Sequence, residues 1–225
     1  PALQPVRRAE RGRLARLATQ AVTMARTASP VRIALLGAES TGKTQLTQAL
    51  AAALGERGHR VIVVPEVLRG WCERQGRTPH AHEQVAIAHE QARQALTADT
   101  DVVIADTTPL MTAVYSHLLF QDESLYDFAL AHQSQYDLTL LTGLDLPWVA
   151  DGLQRDGPQV REPVDALLRA ALARTNVTWQ VIYGSGQARL EAALRALAAH
   201  TEYAQRADNH TATPWAWSCD SCSDA

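Results

Sequence analysis

Five short runs of the chain are almost continuously apolar and show no alternation with polar residues. They are VRIALLG (31–37), HRVIVVPE (59–66), DVVIADT (101–107), YDLTLLTG (136–143) and WQVIYGS (179–185). Runs of this length that are rich in Val, Ile and Leu are typical of strands buried on both faces of a parallel sheet. The pattern therefore predicts five buried strands.

Stretches with helical spacing of apolar residues lie between these runs. They cover residues 44–58, 81–98, 109–120, 124–135, 161–175 and 186–203. Strands that alternate with helices form a parallel sheet, because each right-handed crossover returns the chain to the same end of the sheet. We therefore predict a three-layer α/β sandwich, with a five-stranded parallel sheet and helices on both faces.

The first strand run leads into GAESTGKT (37–44), which has the form GxxxxGK[ST] between a strand and a helix. Its glycines let backbone N–H groups turn inward onto phosphate oxygens, and the helix N-terminus adds positive potential. We expect Lys43 to bridge the terminal phosphates and Thr44 to offer its hydroxyl to Mg²⁺. The predicted nucleotide-binding residues are Gly37, Glu39, Ser40, Thr41, Gly42, Lys43, Thr44 and Gln45.

A phosphate loop of this kind needs a carboxylate near its metal, at the end of an apolar strand. The run DVVIADT supplies Asp106, so the predicted metal ligands are Thr44 and Asp106. After the fourth strand run, TGLD (142–145) has the Thr and the Asp of a guanine-reading motif but lacks its Lys. The expected cofactors are therefore ATP and Mg²⁺ rather than GTP.

A candidate acceptor site follows the second strand run. Parallel strands deliver their carboxyl ends to one crevice, so Glu66 is expected to orient or deprotonate an acceptor hydroxyl, with Arg69 and Trp71 beside it. Core packing is the alternative for Trp71. His89 and Gln91 lie on a predicted helix within reach of the same site, and a surface or packing role fits both of them equally well.

The segment LPWVADGLQRDGPQVREPVD (146–165) is rich in Gly, Pro and charge, which is typical of a lid over an active site. Arg155 and Arg161 would swing onto a transferring phosphoryl group, or else remain solvated loop charges. The predicted catalytic residues are Lys43, Glu66, Asp106, Arg155 and Arg161.

Composition limits the partners and the domain organisation. The chain has 225 residues, 46% of them hydrophobic, and a net charge of −3. We expect a basic extension over 1–30, one domain over 31–203 and a loosely attached tail over 204–225, whose CxxC pair is a weak metal signal. No run is long enough to cross a bilayer. The three cysteines form no disulfide framework, so a cytoplasmic location is expected. The net charge gives no reason to expect nucleic-acid binding, and no membrane partner is expected.

Several segments taken together resemble the ribosylnicotinamide kinase domain of the NadR family over about residues 31–200. They are LLGAESTGKTQL, PEVLRGW, AIAHEQ, VVIADTTPLMT and LPWVADGLQRDG. The resemblance implies a P-loop kinase fold and transfer of the ATP γ-phosphate to the 5′-hydroxyl of nicotinamide riboside, in NAD biosynthesis. It also puts Trp148 and Asp151 in a substrate-binding lid motif.

Some positions depart from the family pattern. Gln154 stands where the family has Arg, and Arg155 follows it. Pro65 replaces an aromatic residue that would help to sandwich the nicotinamide ring, and Trp71 takes the place of a later Tyr. A kinase of another nucleoside and a nucleotide-binding regulatory ATPase therefore stay open. Thirty residues before the first strand are too few for the further domains of full-length family members, so a stand-alone kinase domain is expected.

Overall fold

A single parallel sheet forms the centre of the computed structural model, which describes residues 30–96, 100–149 and 157–211. Its strands are β1 (Val31–Leu36), β2 (Val61–Val64), β3 (Val102–Asp106), β4 (Leu138–Thr142) and β5 (Trp179–Ile182), in the spatial order β2-β3-β1-β4-β5. All four strand pairings are parallel. The five predicted strands and their parallel arrangement are confirmed. The expected burial holds for β1, β3 and β4 but is wrong in part for β2 and β5, because an edge strand has a neighbouring strand on one side only.

Seven α-helices connect and extend these strands within the described residues. They are α1 (Lys43–Gly55), α2 (Val67–Gln75), α3 (Gln84–Leu96), α4 (Pro109–Phe120), α5 (Tyr126–Gln133), α6 (Arg161–Leu172) and α7 (Gly186–Thr211). Short 3₁₀ turns at Ala81–Glu83 and Pro158–Val160 precede α3 and α6. Helix α2 was not among the predicted helices, because a nine-residue segment with Gly70 inside it gives little periodic signal.

Both faces of the sheet are covered. On one face, Ile33 and Leu35 of β1 pack with Leu50 of α1 and Leu197 of α7. On the other face, Leu36 packs with residues of α4 and α6, among them Leu110 and Leu168. Each fully buried leucine of this kind stabilises the fold by roughly 1.5–3 kcal/mol. The three-layer sandwich that the sequence predicts is therefore present.

The strand order determines which loops meet at the carboxyl edge of the sheet. Strand β1 is central and pairs with β3 on one side and with β4 on the other. Leu35 of β1 stands opposite Asp106 of β3, so the loop after β1 lies beside that carboxylate. The ends of β2 and β3 thus flank the loop on one side, and the ends of β4 and β5 flank it on the other.

Candidate active site

The loop between β1 and α1 has a backbone that requires glycine at both ends. Gly37 has φ of 149° and Gly42 has φ of 73°. A Cβ added at Gly37 would collide with the hydroxyl of Thr142. Gly42 caps α1 without a side chain, so the first N–H groups of the helix point out of the loop with no side-chain cap. This is the geometry that binds a phosphate at a helix N-terminus.

Hydrogen bonds within the loop hold its shape. The hydroxyl of Thr41 donates to the carbonyl of Ala38 at 2.7 Å and accepts from the hydroxyl of Thr142 at 2.7 Å, which ties the loop to β4. The Lys43 ammonium donates to the carbonyls of Gly37 and Ala38 at 2.8 and 2.9 Å. The ammonium therefore lies over the loop, where its predicted contact is with phosphate.

The other predicted loop residues differ in their surroundings. Glu39 is buried and Gln45 is exposed on the first turn of α1. The hydroxyl of Ser40 donates to the carbonyl of Val149 at 2.7 Å and accepts from the Val149 N–H at 3.2 Å. Ser40 thus fastens the start of the predicted lid beside the phosphate loop.

Thr44 and Asp106 meet beside the loop, where the hydroxyl of Thr44 donates to Oδ2 of Asp106 at 2.6 Å. Asp106 is only 4% exposed, and its Oδ1 is buried with no hydrogen-bond partner among the described residues. That orphaned oxygen and the adjacent hydroxyl fit Mg²⁺, which binds one or two carboxylates, phosphate oxygens and several waters. The described residues contain no group of three or more His, Cys, Asp or Glu side chains that would suit an all-protein metal site.

A cavity of about 460 Å³ extends from Thr44 and Asp106 to the end of β2. Glu66 and Arg69, both predicted from the sequence, line it, and the Arg69 guanidinium lies 3.5 Å from the Glu66 carboxylate. The cavity therefore joins the candidate metal ligands to the candidate acceptor residues. Its remaining lining residues are Pro65, Val67, Gly70, Glu73, Arg74, Glu90 and Gln94.

Polar residues of α2 and α3 that the sequence reasoning missed form the far wall of this cavity. Glu90 accepts from Gln94 at 2.8 Å and from Arg93 at 2.7 Å. The hydrogen bond from Arg93, and after it the one from Gln94, lowers the pKa of the Glu90 carboxyl to about 2. Residues 90 and 94 are one helical turn apart and share a face. Glu73 and Arg74 come from α2, a helix that the sequence pattern does not predict.

Three residues of α2 and α3 that were predicted to bind substrate do not line the cavity. The side-chain amide of Gln91 accepts from the N–H of Val67 at 2.8 Å and donates to the carbonyl of Pro65 at 3.2 Å. It thereby links the backbone groups of the two residues on either side of Glu66. His89 is exposed with its ring packed on Phe128. The guanidinium of Arg77 covers the ring of Trp71. A substrate contact for any of these three stays a prediction.

The predicted lid is anchored at both ends of its described part. Arg161 is buried, and its Nη2 donates to the carbonyls of Leu144 and Leu146 at 3.3 and 2.8 Å. Trp148 is half-buried, and its indole N–H has no acceptor among the described residues. Asp151 and Arg155 lie outside those residues, as do the basic extension up to residue 29 and both cysteines of the tail.

Comparison with known proteins identifies the family and the fold of the chain. A family model described as an AAA domain matches residues 32–189. The chain belongs to this AAA-domain family. No curated protein matches the sequence of the AAA-domain chain.

Three solved structures share the fold of this chain. A NadR protein in complex with NR is 18% identical, with a TM-score of 0.62 over 76% of this chain and 51% of its own. A NadR protein in complex with NAD and AMP-PNP is also 18% identical, with a TM-score of 0.61 over 84% of this chain and 52% of its own. A deoxyadenosine kinase from M. mycoides with bound dCTP is 14% identical, with a TM-score of 0.53 over 75% of this chain and 100% of its own. The AAA-domain chain thus spans about half the length of the NadR chains, and the predicted P-loop fold is confirmed.

The candidate site has two sides, because β1 and its loop lie between β3 and β4 in the sheet. The cavity with Glu66 and Asp106 lies at the ends of β2 and β3, and the anchored segment 144–149 follows β4.

No helix among the described residues has both the length and the apolar character needed to cross a bilayer.

Proposed function

We propose that this chain is an ATP- and Mg²⁺-dependent kinase that phosphorylates the 5′-hydroxyl of nicotinamide riboside to give nicotinamide mononucleotide, in cytoplasmic NAD biosynthesis. The observation that carries the proposal is that one cavity reaches from Thr44 and Asp106 to Glu66. A phosphoryl donor on the loop and an acceptor hydroxyl at Glu66 would face each other across it. Phosphoryl transfer depends mainly on such positioning and on charge neutralisation.

Each residue has a role in this reaction. The N–H groups at the start of α1 and the Lys43 ammonium bind the donor phosphates. Thr44 and Asp106 would hold Mg²⁺, and the ion would supply positive charge to neutralise the transferring group. Glu66 orients the 5′-hydroxyl and accepts its proton. The hydroxyl oxygen then bonds to the γ-phosphorus as the bond to the β-phosphate oxygen breaks and ADP leaves. Arg69 lies close enough to Glu66 to keep that carboxylate in place.

Nicotinamide riboside is the favoured acceptor because the lid motif and the segments around Glu66 resemble the NadR kinase domain, and one similar structure is a NadR protein in complex with NR. A kinase of another nucleoside is the second candidate. It is favoured by Pro65, which lines the cavity where an aromatic residue would stack on the nicotinamide ring, and by Trp71, which lies under Arg77 instead.

The test is a panel of nucleosides incubated with the chain, ATP and Mg²⁺, with ATP loss and nucleotide product measured by chromatography. We expect ATP loss in proportion to added nicotinamide riboside, and none with the Lys43→Ala variant, whose thermal unfolding should stay near that of the parent. Turnover with a different nucleoside alone would show that this nucleoside, and not nicotinamide riboside, is the acceptor. Slow ATP loss that no nucleoside accelerates would instead indicate a regulatory ATPase.

A further inference from the structure

A buried arginine lies on the opposite side of the phosphate loop from the acceptor cavity. Arg189 belongs to the first turn of α7, and its side chain is 4% exposed. A Cβ added at Gly42 would lie 3.5 Å from Nη1 of Arg189 and 3.1 Å from Leu146. The guanidinium therefore approaches the end of the phosphate loop from the side of β4 and β5.

This guanidinium is poorly paired. Its Nη2 reaches the carbonyl of Ile182 only at 3.4 Å, and it is 4.0 Å from Oδ1 of Asp145. The other oxygen of Asp145 already accepts from the N–H of Gly184 at 2.6 Å. Nε and Nη1 of Arg189 are buried and have no hydrogen-bond partner among the described residues. Buried arginine N–H groups are normally paired, because leaving them unpaired is costly.

The sheet order indicates what would pair with Arg189. The acceptor cavity occupies the ends of β2 and β3. A nucleotide whose phosphates lie on the loop must then extend its sugar and base in the other direction, toward the ends of β4 and β5. Arg189 stands on that path, beside Gly42. Burial also lowers the pKa of the guanidinium, and Asp145 partly opposes this effect.

We propose that Arg189 binds the donor nucleotide, donating hydrogen bonds from Nε and Nη1 to acceptor atoms of its nucleoside half. The phosphates have their own partners in Lys43 and the N-terminus of α1, so Arg189 supplies affinity for the sugar and base. The inference rests on the nucleotide-binding half of the proposed function and is independent of which acceptor the chain phosphorylates.

The test is calorimetric binding of ATP and of inorganic tripolyphosphate, each with Mg²⁺, to the full chain. The variants are Arg189→Gln and, as a matched control on the exposed side of the same helix, Arg195→Gln. We expect Arg189→Gln to raise the Kd for ATP by about tenfold or more, since hydrogen bonds from charged groups contribute at least that much. Its Kd for tripolyphosphate, and both constants of the control, should stay within about twofold of the parent values.

An unchanged Kd for ATP in Arg189→Gln would overturn the proposal. An equal loss of tripolyphosphate affinity would also overturn it, because Arg189 would then contact phosphate. If Arg189→Gln does not fold, Arg189→Lys decides the question. Lysine keeps the charge but lacks the planar set of donors, so its Kd for ATP should rise several-fold, and no rise would refute the assignment. Binding of ATP by the parent without turnover of nicotinamide riboside would count against the proposed function alone.

Discussion

Replacement of Gln91 by Leu separates a positioning role from a substrate-binding role. Gln91 is 2% exposed, and its amide joins the N–H of Val67 to the carbonyl of Pro65. The leucine side chain is similar in size but makes neither hydrogen bond. Both backbone groups flank Glu66, so the change removes the support of the proposed acceptor carboxylate and leaves the cavity lining itself intact.

The magnitude follows from the burial of the two backbone groups. Val67 is buried, so its N–H has little access to water, and an unpaired buried donor costs about 1–3 kcal/mol. Pro65 is exposed, and water would replace the weaker 3.2 Å hydrogen bond, at a cost of about 0.5 kcal/mol. We therefore expect the free energy of unfolding to fall by about 1.5–3.5 kcal/mol. The value of kcat should fall while the KM for ATP stays unchanged.

Urea denaturation and steady-state kinetics measure these quantities, with Gln48→Leu on the exposed side of α1 as the matched control. A stability loss below about 0.5 kcal/mol would show that the two hydrogen bonds contribute little. A higher KM for the acceptor with unchanged stability would refute the positioning role and support the substrate contact that the sequence suggested for Gln91.

Three further changes have defined outcomes. Asp106→Asn should raise the Mg²⁺ concentration needed for half-maximal activity by roughly tenfold or more, because the candidate site loses its carboxylate; an unchanged Mg²⁺ titration would contradict the assignment. Gly37→Ala should destabilise the fold by on the order of 3 kcal/mol in urea denaturation, since the added Cβ meets a hydroxyl at a φ of 149°. Gly55→Ala, with nothing within 4 Å of its Cβ, is the control and should not destabilise. Burial lowers the pKa of His132 below its ordinary value of 6.5, so the unfolded chain binds protons more readily, and the free energy of unfolding should fall as the pH drops below about 6.5. His132→Phe should weaken this dependence without removing it, because burial lowers the pKa of His200 as well, and an unchanged slope would contradict the reasoning.

The sequence predicted those features that depend on local pattern. Apolar runs gave all five strands, and the spacing of Gly37, Gly42 and Lys43 gave the phosphate loop. Asp106 and Glu66 were found because parallel strands end at one edge of the sheet. Each of these inferences needs only a neighbouring stretch of chain and the rule that sheets place strand ends together.

Features that depend on the rotation of a helix or on distant packing were left open or missed. On α3, Gln91 is one turn from both Ile87 and Ala95, which are buried, so the pattern contained a signal that Gln91 faces the core. Glu90 faces the cavity because of how α3 packs on its neighbours, which its sequence alone does not determine. Arg189 follows β5 and meets Gly42 only because β5 lies next to β4 in the sheet. Gly42 and Arg189 are far apart in the sequence, so no local pattern predicts their contact.

The ammonium that lies over the carbonyls of Gly37 and Ala38 has a chemical consequence for the whole molecule. Lys43 is the only lysine in the sequence, and the other 20 cationic side chains are arginines. Within this sequence, any reagent or cellular acyl donor that modifies a lysine side chain therefore reacts at the phosphate loop, and acylation removes the positive charge there. The extent of such labelling, read by mass spectrometry on the peptide that carries Lys43, would report on how much of the protein has its nucleotide site filled.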